Sequence, residues 1–249
     1  MENALLVGLS RQVALRREID VVANNIANLN TTGFKADGNI FQEYVMPGAQ
    51  AKDFAGADQR ISFVVDRATW HDFNQGPVKY TGNPLDVAVD GNAFLVVQTP
   101  RGERYTRNGA LQINAAGELV TGDGDRVLGD GGPIQFQRED RDIVIGRDGS
   151  IAAPDGARGR LRLVSFANPS ALKKDGSSAF LAPAGVAPEA AVNATVTQGA
   201  VEQSNVRGVL EMTRMIEVTR AYTTVATMLQ QQGDMRRTAI QQLAEVPTN

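Results

Sequence analysis

Apolar side chains recur at helical spacing along the first 34 residues. Leu15, Ile19, Val22, Ile26 and Leu29 follow one another at steps of four, three, four and three, and the same seam runs back through Gln12, Gly8 and Leu5. This predicts an amphipathic helix within 1–34 with one stripe to bury, ending at Gly33 as a left-handed C-cap. From Leu5 to Leu29 such a helix is about 37 Å long at roughly 1.5 Å per residue, so it needs a long partner. The pattern returns at the other end of the chain. Between Asn205 and Leu243, Met212, Met215, Thr219, Tyr222, Ala226 and Leu229 form a second seam, continued by Ile240 and Leu243, with Ser204 as the expected N-cap. The two segments are expected to pair as a coiled coil or bundle. Met, Thr, Ala, Gly and Gln bury less apolar area than Leu and Ile, so an isolated pair would be marginal and neighbouring copies are expected to complete the packing. Glu211, Arg214, Glu217 and Arg220 alternate in sign and face possible partners in Arg16, Arg17, Glu18 and Asp20.

Between the helices the period changes. Phe41, Tyr44, Val45 and Met46 precede the turn-rich run PGAQAKDFAGADQR, with a short strand expected at Ile61–Val65. From residue 76 onward, Leu85, Val87 and Val89 alternate with Asp86 and Ala88, Phe94–Val97 reads as a buried strand, and DG, GDG and GG turns punctuate further short strands. The prediction is an antiparallel β domain, a sandwich or partial barrel. The segment PAGVAPEAAVNATVTQG then returns in extended form to the second helix. The fold class expected is therefore α+β, with paired terminal helices flanking a central antiparallel all-β core. The boundaries are 1–34 for the first helix, 35–75 for an extended connector, 76–190 for the β domain and 191–249 for the return strand and second helix.

Composition removes several function classes. The 249 residues carry a net charge of -3 with both signs interspersed, which gives no footprint for nucleic acid or an anionic membrane. There is no cysteine, and the single histidine, His71, lies beside Trp70 and Phe73 with no nucleophile signalled nearby, which favours a structural role. The acidic run TGDGDRVLGDGG (Thr121 to Gly132) resembles a calcium loop, but Val127 and Leu128 stand where ligands belong and no bidentate glutamate follows, so it reads as turn chemistry. Asp86, Asp90, Glu103 and Glu118 show no spacing that pairs two carboxylates across a cleft. Asn30-Thr31-Thr32 and Asn193-Ala194-Thr195 match a glycosylation pattern too short to carry weight. No catalytic, cofactor or metal site is expected. The N-terminal ALLVGL run is followed by RQVALRRE and not by a small-residue cleavage site, so no cleaved signal peptide is expected.

Four motifs resemble the flagellar axial proteins, the rod, hook and hook-junction subunits. They are VVANNIANLNTTGFK (Val21 to Lys35), TGNPLDVAVDGNAFLVV (Thr81 to Val97) with YTRNGALQINAAGELVTGDGDRVLG behind it, the tail QGAVEQSNV with MIEVTRAY (Met215 to Tyr222), and the order helix, β core, helix. Length and a single β core are similar to the two larger rod proteins, and the opening MENALLVGLSRQVALRREIDVVANNIANLN with FQEYVMPGAQ to the proximal-rod type. The resemblance implies a structural subunit exported by the flagellar type III apparatus, which polymerises into the periplasmic drive shaft of the basal body. The implied partners are copies of itself, proximal-rod neighbours and the distal-rod protein, with terminal helices that order on assembly. Assembly contacts are expected from Leu15, Ile19, Val22 and Ile26 on the first helix and Met212, Met215, Ile216, Tyr222 and Leu229 on the second. Asn24, Asn25 and Asn28 are the polar candidates. A coiled-coil scaffold or adhesin is the alternative class.

Overall fold

The computed structural model describes residues 2–45 and 62–244. The chain divides into two compact units: Met1–Ile26, Asp37–Trp70 and Gly208–Asn249 form one, and Ala27–Ala36 with His71–Arg207 form the other. The first is a helical unit. It holds helix α1 (Glu2–Ala27), a two-stranded ribbon of β1 (Asp37–Val45) and β2 (Ser62–His71), and helix α2 (Gly208–Ala244). Met46 and the run PGAQAKDFAGADQR lie outside the described residues, as does Ile61; the expected strand that begins there is seen from Ser62 onward.

The second unit is the β body, and its central strand shows why the sequence reads as an unbroken apolar run. Along Ala93–Thr99, Ala93, Leu95 and Val97 enter one hydrophobic core while Phe94 and Val96 enter another on the opposite face. A strand buried on both faces carries apolar residues at every position. Around it a ten-stranded antiparallel sheet runs from Lys173–Lys174 through Ala179–Leu181, Gly102–Thr106, Ala93–Thr99, Arg126–Gly129 and Leu119–Thr121 to Leu111–Ile113. The first core gathers Val87, Leu119, Ile151, Leu161 and Val196; the second is aromatic, with Phe94, Tyr105, Phe166 and Phe180 meeting edge to face. The segment leaving the β body pairs with the one entering it: Thr195–Gln198 lies on Val87–Asp90, and Ala200–Glu202 on Val78–Tyr80.

Three sequence expectations are corrected. The α+β class holds, but the terminal helices do not pair as a coiled coil. Within the helical unit α1 and α2 meet at isolated points: Leu229 lies where a side chain on Gly8 would stand, 2.7 Å from the position of its Cβ, and Arg214 bonds Glu18 at 2.7 Å. The seam residues Leu15, Ile19, Ile26, Met215, Tyr222, Ala226 and Leu229 stay only half-buried, so no continuous interlocking of side chains forms. The stripe α2 does bury is centred on Val218 and Val225, one step round from the expected frame. Secondly, α1 ends at Ala27, ahead of Gly33. Asn28 closes a turn there, its carbonyl accepting from the Thr31 amide at 3.2 Å and its side-chain oxygen from the Thr31 hydroxyl at 3.0 Å, the local competition that makes asparagine a poor helix interior. Gly33 is left-handed, with φ 68°, but serves a close approach: any side chain would strike the Arg107–Asn108 backbone. Thirdly, Ser204 does not cap α2, which starts at Gly208; its hydroxyl accepts from the Val206 amide at 3.3 Å in a preceding turn.

Candidate assembly surface

In the helical unit the asparagines of α1 hold the ribbon. Asn25 is 1% exposed, and its carboxamide donates to the Asp37 carbonyl at 2.8 Å and accepts from the Asp37 amide at 2.9 Å. It thereby imitates a neighbouring strand at the start of β1, while Asn24 donates to the Asp37 carboxylate at 3.0 Å. Asn24 and Asn25 thus act within the unit, and Asn28 acts in its own turn of the β body. Trp70 lies across the ribbon over Gly38, where a Cβ would collide with the indole.

The same unit leaves much apolar surface uncovered. Of the expected contact residues, Val22 is buried, whereas Met212 and Ile216 are 53% and 55% exposed. Ile240, on the continued seam of α2, is exposed as well, and so are Val209, Leu210, Met228 and Met235 on α2 and Leu6, Leu9 and Val13 on α1, which the seams alone do not mark. A groove of about 570 Å³ opens between the second half of α1, the ribbon and the first turns of α2, lined among others by Val22, Trp70 and Leu210. Its charged residues are mostly acidic: Glu18, held by Arg214, Asp37, Glu211 and Glu217.

The β body carries a second construction, which joins the signature motifs. Lys35 and Glu202 are both fully buried and bonded at 2.6 Å. Lys35 also donates to the Asn74 carbonyl at 2.7 Å, and the Gly76 amide donates to Glu202 at 2.8 Å. Arg107, likewise buried, faces the second Glu202 oxygen at 3.5 Å and donates to the Val89 and Gly91 carbonyls at 3.0 and 2.5 Å. Burial holds Lys35 below its ordinary lysine range, opposed by the Glu202 charge, and lowers Arg107 for the same reason. Asn205 completes the knot, accepting from the Ala36 amide at 2.8 Å and donating to the Asp72 carbonyl at 2.7 Å. The TTGFK and VEQSN motifs are therefore two halves of one buried junction.

The features that invited enzymatic readings have structural explanations. The His71 imidazole packs edge-on against Phe73 and Phe180 at 6.1 and 5.6 Å. Asp86 accepts from Thr81 and Asn83 at 2.6 and 3.0 Å, which shapes a turn. The Thr121–Asp125 segment closes a hairpin through the Thr121 amide and the Asp125 carbonyl at 2.9 Å. Among the described residues no group of three His, Cys, Asp or Glu side chains is placed to hold a metal.

Three family descriptions match successive parts of the chain. They are the flagella basal body rod protein family over residues 5–35, the flagellar hook protein FlgE/F/G D1 domain over 88–153, and the flagellar basal body rod FlgEFG protein C-terminal family over 197–242. The chain is 41% identical to the flagellar basal-body rod protein FlgF of Caulobacter vibrioides, covering 99% of this chain and 100% of the relative. It is 36% identical to FlgF of Mesorhizobium japonicum, over 98% of each chain. With the rod protein FlgG of Bacillus subtilis it shares 31% identity over 89% of this chain and 92% of the relative. An N-terminal helix, a β body and a C-terminal helix joined by matching signature motifs, with similarity over nearly the whole length, make this chain a structural member of the flagellar basal-body rod protein family.

Proposed function

We propose that this rod subunit occupies the proximal part of the periplasmic drive shaft. It is exported by the flagellar type III apparatus and contacts copies of itself, neighbouring proximal-rod proteins and the distal-rod protein FlgG. The observation that carries the assembly role is the apolar surface that α1 and α2 leave open, with Met212 and Ile216 more than half exposed. Long helices overlap several neighbours along an axis and resist axial slip, while a stiff β body suits lateral contact. On this view Met212 and Ile216 reach neighbours directly, and the half-buried Leu15, Ile19, Ile26, Met215, Tyr222 and Leu229 add to the same contacts. The ordering entropy of the helices is offset by apolar burial as each subunit joins.

The relatives named FlgF, at 41% and 36% identity over nearly the full length, support the proximal position. The similarity to FlgG, 31% identity over 89% of this chain, keeps a distal-rod position as the second reading. Cryo-electron tomography of basal bodies from a strain lacking this chain decides between them. A rod missing or stunted at the inner-membrane ring supports the proximal position. A rod that ends short of the outer membrane assigns the chain to the distal part, and complete rotating flagella contradict both.

A further inference from the structure

The first half of α1 has a second apolar stripe that its own chain leaves uncovered. Leu6, Leu9 and Val13, spaced three and four apart, are 49%, 53% and 61% exposed. They lie about 150° round the helix from Gly8, Leu15 and Val22, the side that faces α2, given 3.6 residues per turn. Residues 6–17 contain Arg11, Arg16 and Arg17 and no acidic residue, and Arg16 follows Val13 by one further step of three along the stripe.

The groove has the complementary character. Val22, Trp70 and Leu210 give it an apolar lining, and Glu211 and Glu217 on its wall have no ion-pair partner among the described residues. Asn39, also lining it, keeps both side-chain polar atoms buried without a hydrogen-bond partner, an unfavourable state for polar groups. A basic amphipathic helix with apolar anchors three and four apart is the shape of ligand such a groove accepts.

The stripe cannot reach the groove of its own chain. Leu6 and Val22 belong to one uninterrupted helix, Glu2–Ala27, and stand about 24 Å apart at roughly 1.5 Å per residue. We propose that the groove receives the first half of α1 from a second copy, with Leu6, Leu9 and Val13 on the apolar lining and Arg16 toward Glu211 and Glu217. The contact is heterologous: each docked copy presents a free stripe at one end and a free groove at the other, so addition continues into an open filament. This deepens the rod-subunit reading by naming the surface through which copies join, and it is tested separately from that reading.

The test uses two full-length variants, Leu9→Asp, which spoils the stripe, and Leu210→Asp, which spoils the groove. Both positions are exposed, and an unchanged unfolding transition of the β body verifies folding. Sedimentation velocity is expected to show concentration-dependent growth of the wild-type chain and a monomer for either variant alone. An equimolar mixture is expected to stop at 1:1 dimers, joined by the intact stripe of the Leu210→Asp copy in the intact groove of the Leu9→Asp copy. A monomeric wild type, growth of either variant alone, or a mixture that remains monomeric overturns the proposal. Because the chain has no cysteine, Val13→Cys and Leu210→Cys copies give a second measurement. Oxidation is expected to yield the mixed disulfide, and its absence, or a Val13→Cys homodimer as the main product, contradicts the docking. Failure here leaves the rod assignment to stand or fall on the basal bodies of the deletion strain.

Discussion

Phe180 in the β body is fully buried and packs against His71, Phe73 and Phe94, whereas Ile216 in the helical unit is 55% exposed. The contrast extends to charge. In the β body the ionic groups of the junction are enclosed, with Lys35 against Glu202, while on α2 Glu211 and Glu217 stand at a groove wall with no ion-pair partner among the described residues. One unit completes its packing within the chain. The other leaves apolar side chains such as Met212 and Ile216 open, which fits the contacts proposed with neighbouring subunits.

Substitutions in the two units separate these behaviours. Lys35→Met leaves Glu202 buried without its lysine, and a loss of about 3–5 kcal/mol from the β body is expected in denaturant unfolding. The double variant Lys35→Met with Glu202→Leu is expected to recover part of that loss, because the uncompensated charge is gone; a double variant no better than the single one would locate the cost in packing alone. Phe180→Ala removes a fully buried ring and is expected to cost a similar 3–5 kcal/mol in the same experiment.

A smaller effect is expected at Asp175, whose carboxyl is held below the ordinary carboxylate range chiefly by the hydrogen bond from Arg104, at 2.6 Å, aided by Arg101. A lowered acid contributes stability that is complete above its unfolded range and is lost as pH falls through its folded value. Asp175→Asn is therefore expected to be less stable than wild type at neutral pH, with the gap closing in acid. A gap that persists unchanged in acid would rule out the charge as its source.

The smallest effect on the free chain is expected in the helical unit. Ile216→Asp should change the unfolding free energy of the isolated subunit by less than about 0.5 kcal/mol, as exposed positions do. Assembly of the rod, scored by motility and by tomography of basal bodies, is expected to fail. A motile strain with intact rods would remove Ile216 from the contact.

The difference between the units also explains what the sequence made legible. The β strands were readable because period-2 alternation and DG turns are local signals, and the doubly buried strand Phe94–Val97 stood out as a run. Both helices were readable from their seams, but the relation between them was not. A seam reports that a face is apolar and does not name the surface that covers it, so pairing along Leu15, Ile19 and Met215 was the simplest inference and the wrong geometry. The Lys35–Glu202 bond joins residues 167 positions apart, and no local pattern marks it, although both residues lie in the motifs that carried the family resemblance. The stripe Leu6–Leu9–Val13 was hidden for a different reason: it runs along the side of α1 away from the stronger seam, which drew the pattern to itself.

Hydrogen exchange on the free subunit and on isolated rods tests most directly whether the helical unit depends on neighbours. In the free chain, amides of α1 and α2 are expected to exchange orders of magnitude faster than those of Ala93–Thr99, and in the assembled rod to become comparably protected. Protection of both helices in the free monomer equal to that of the β body would contradict the account.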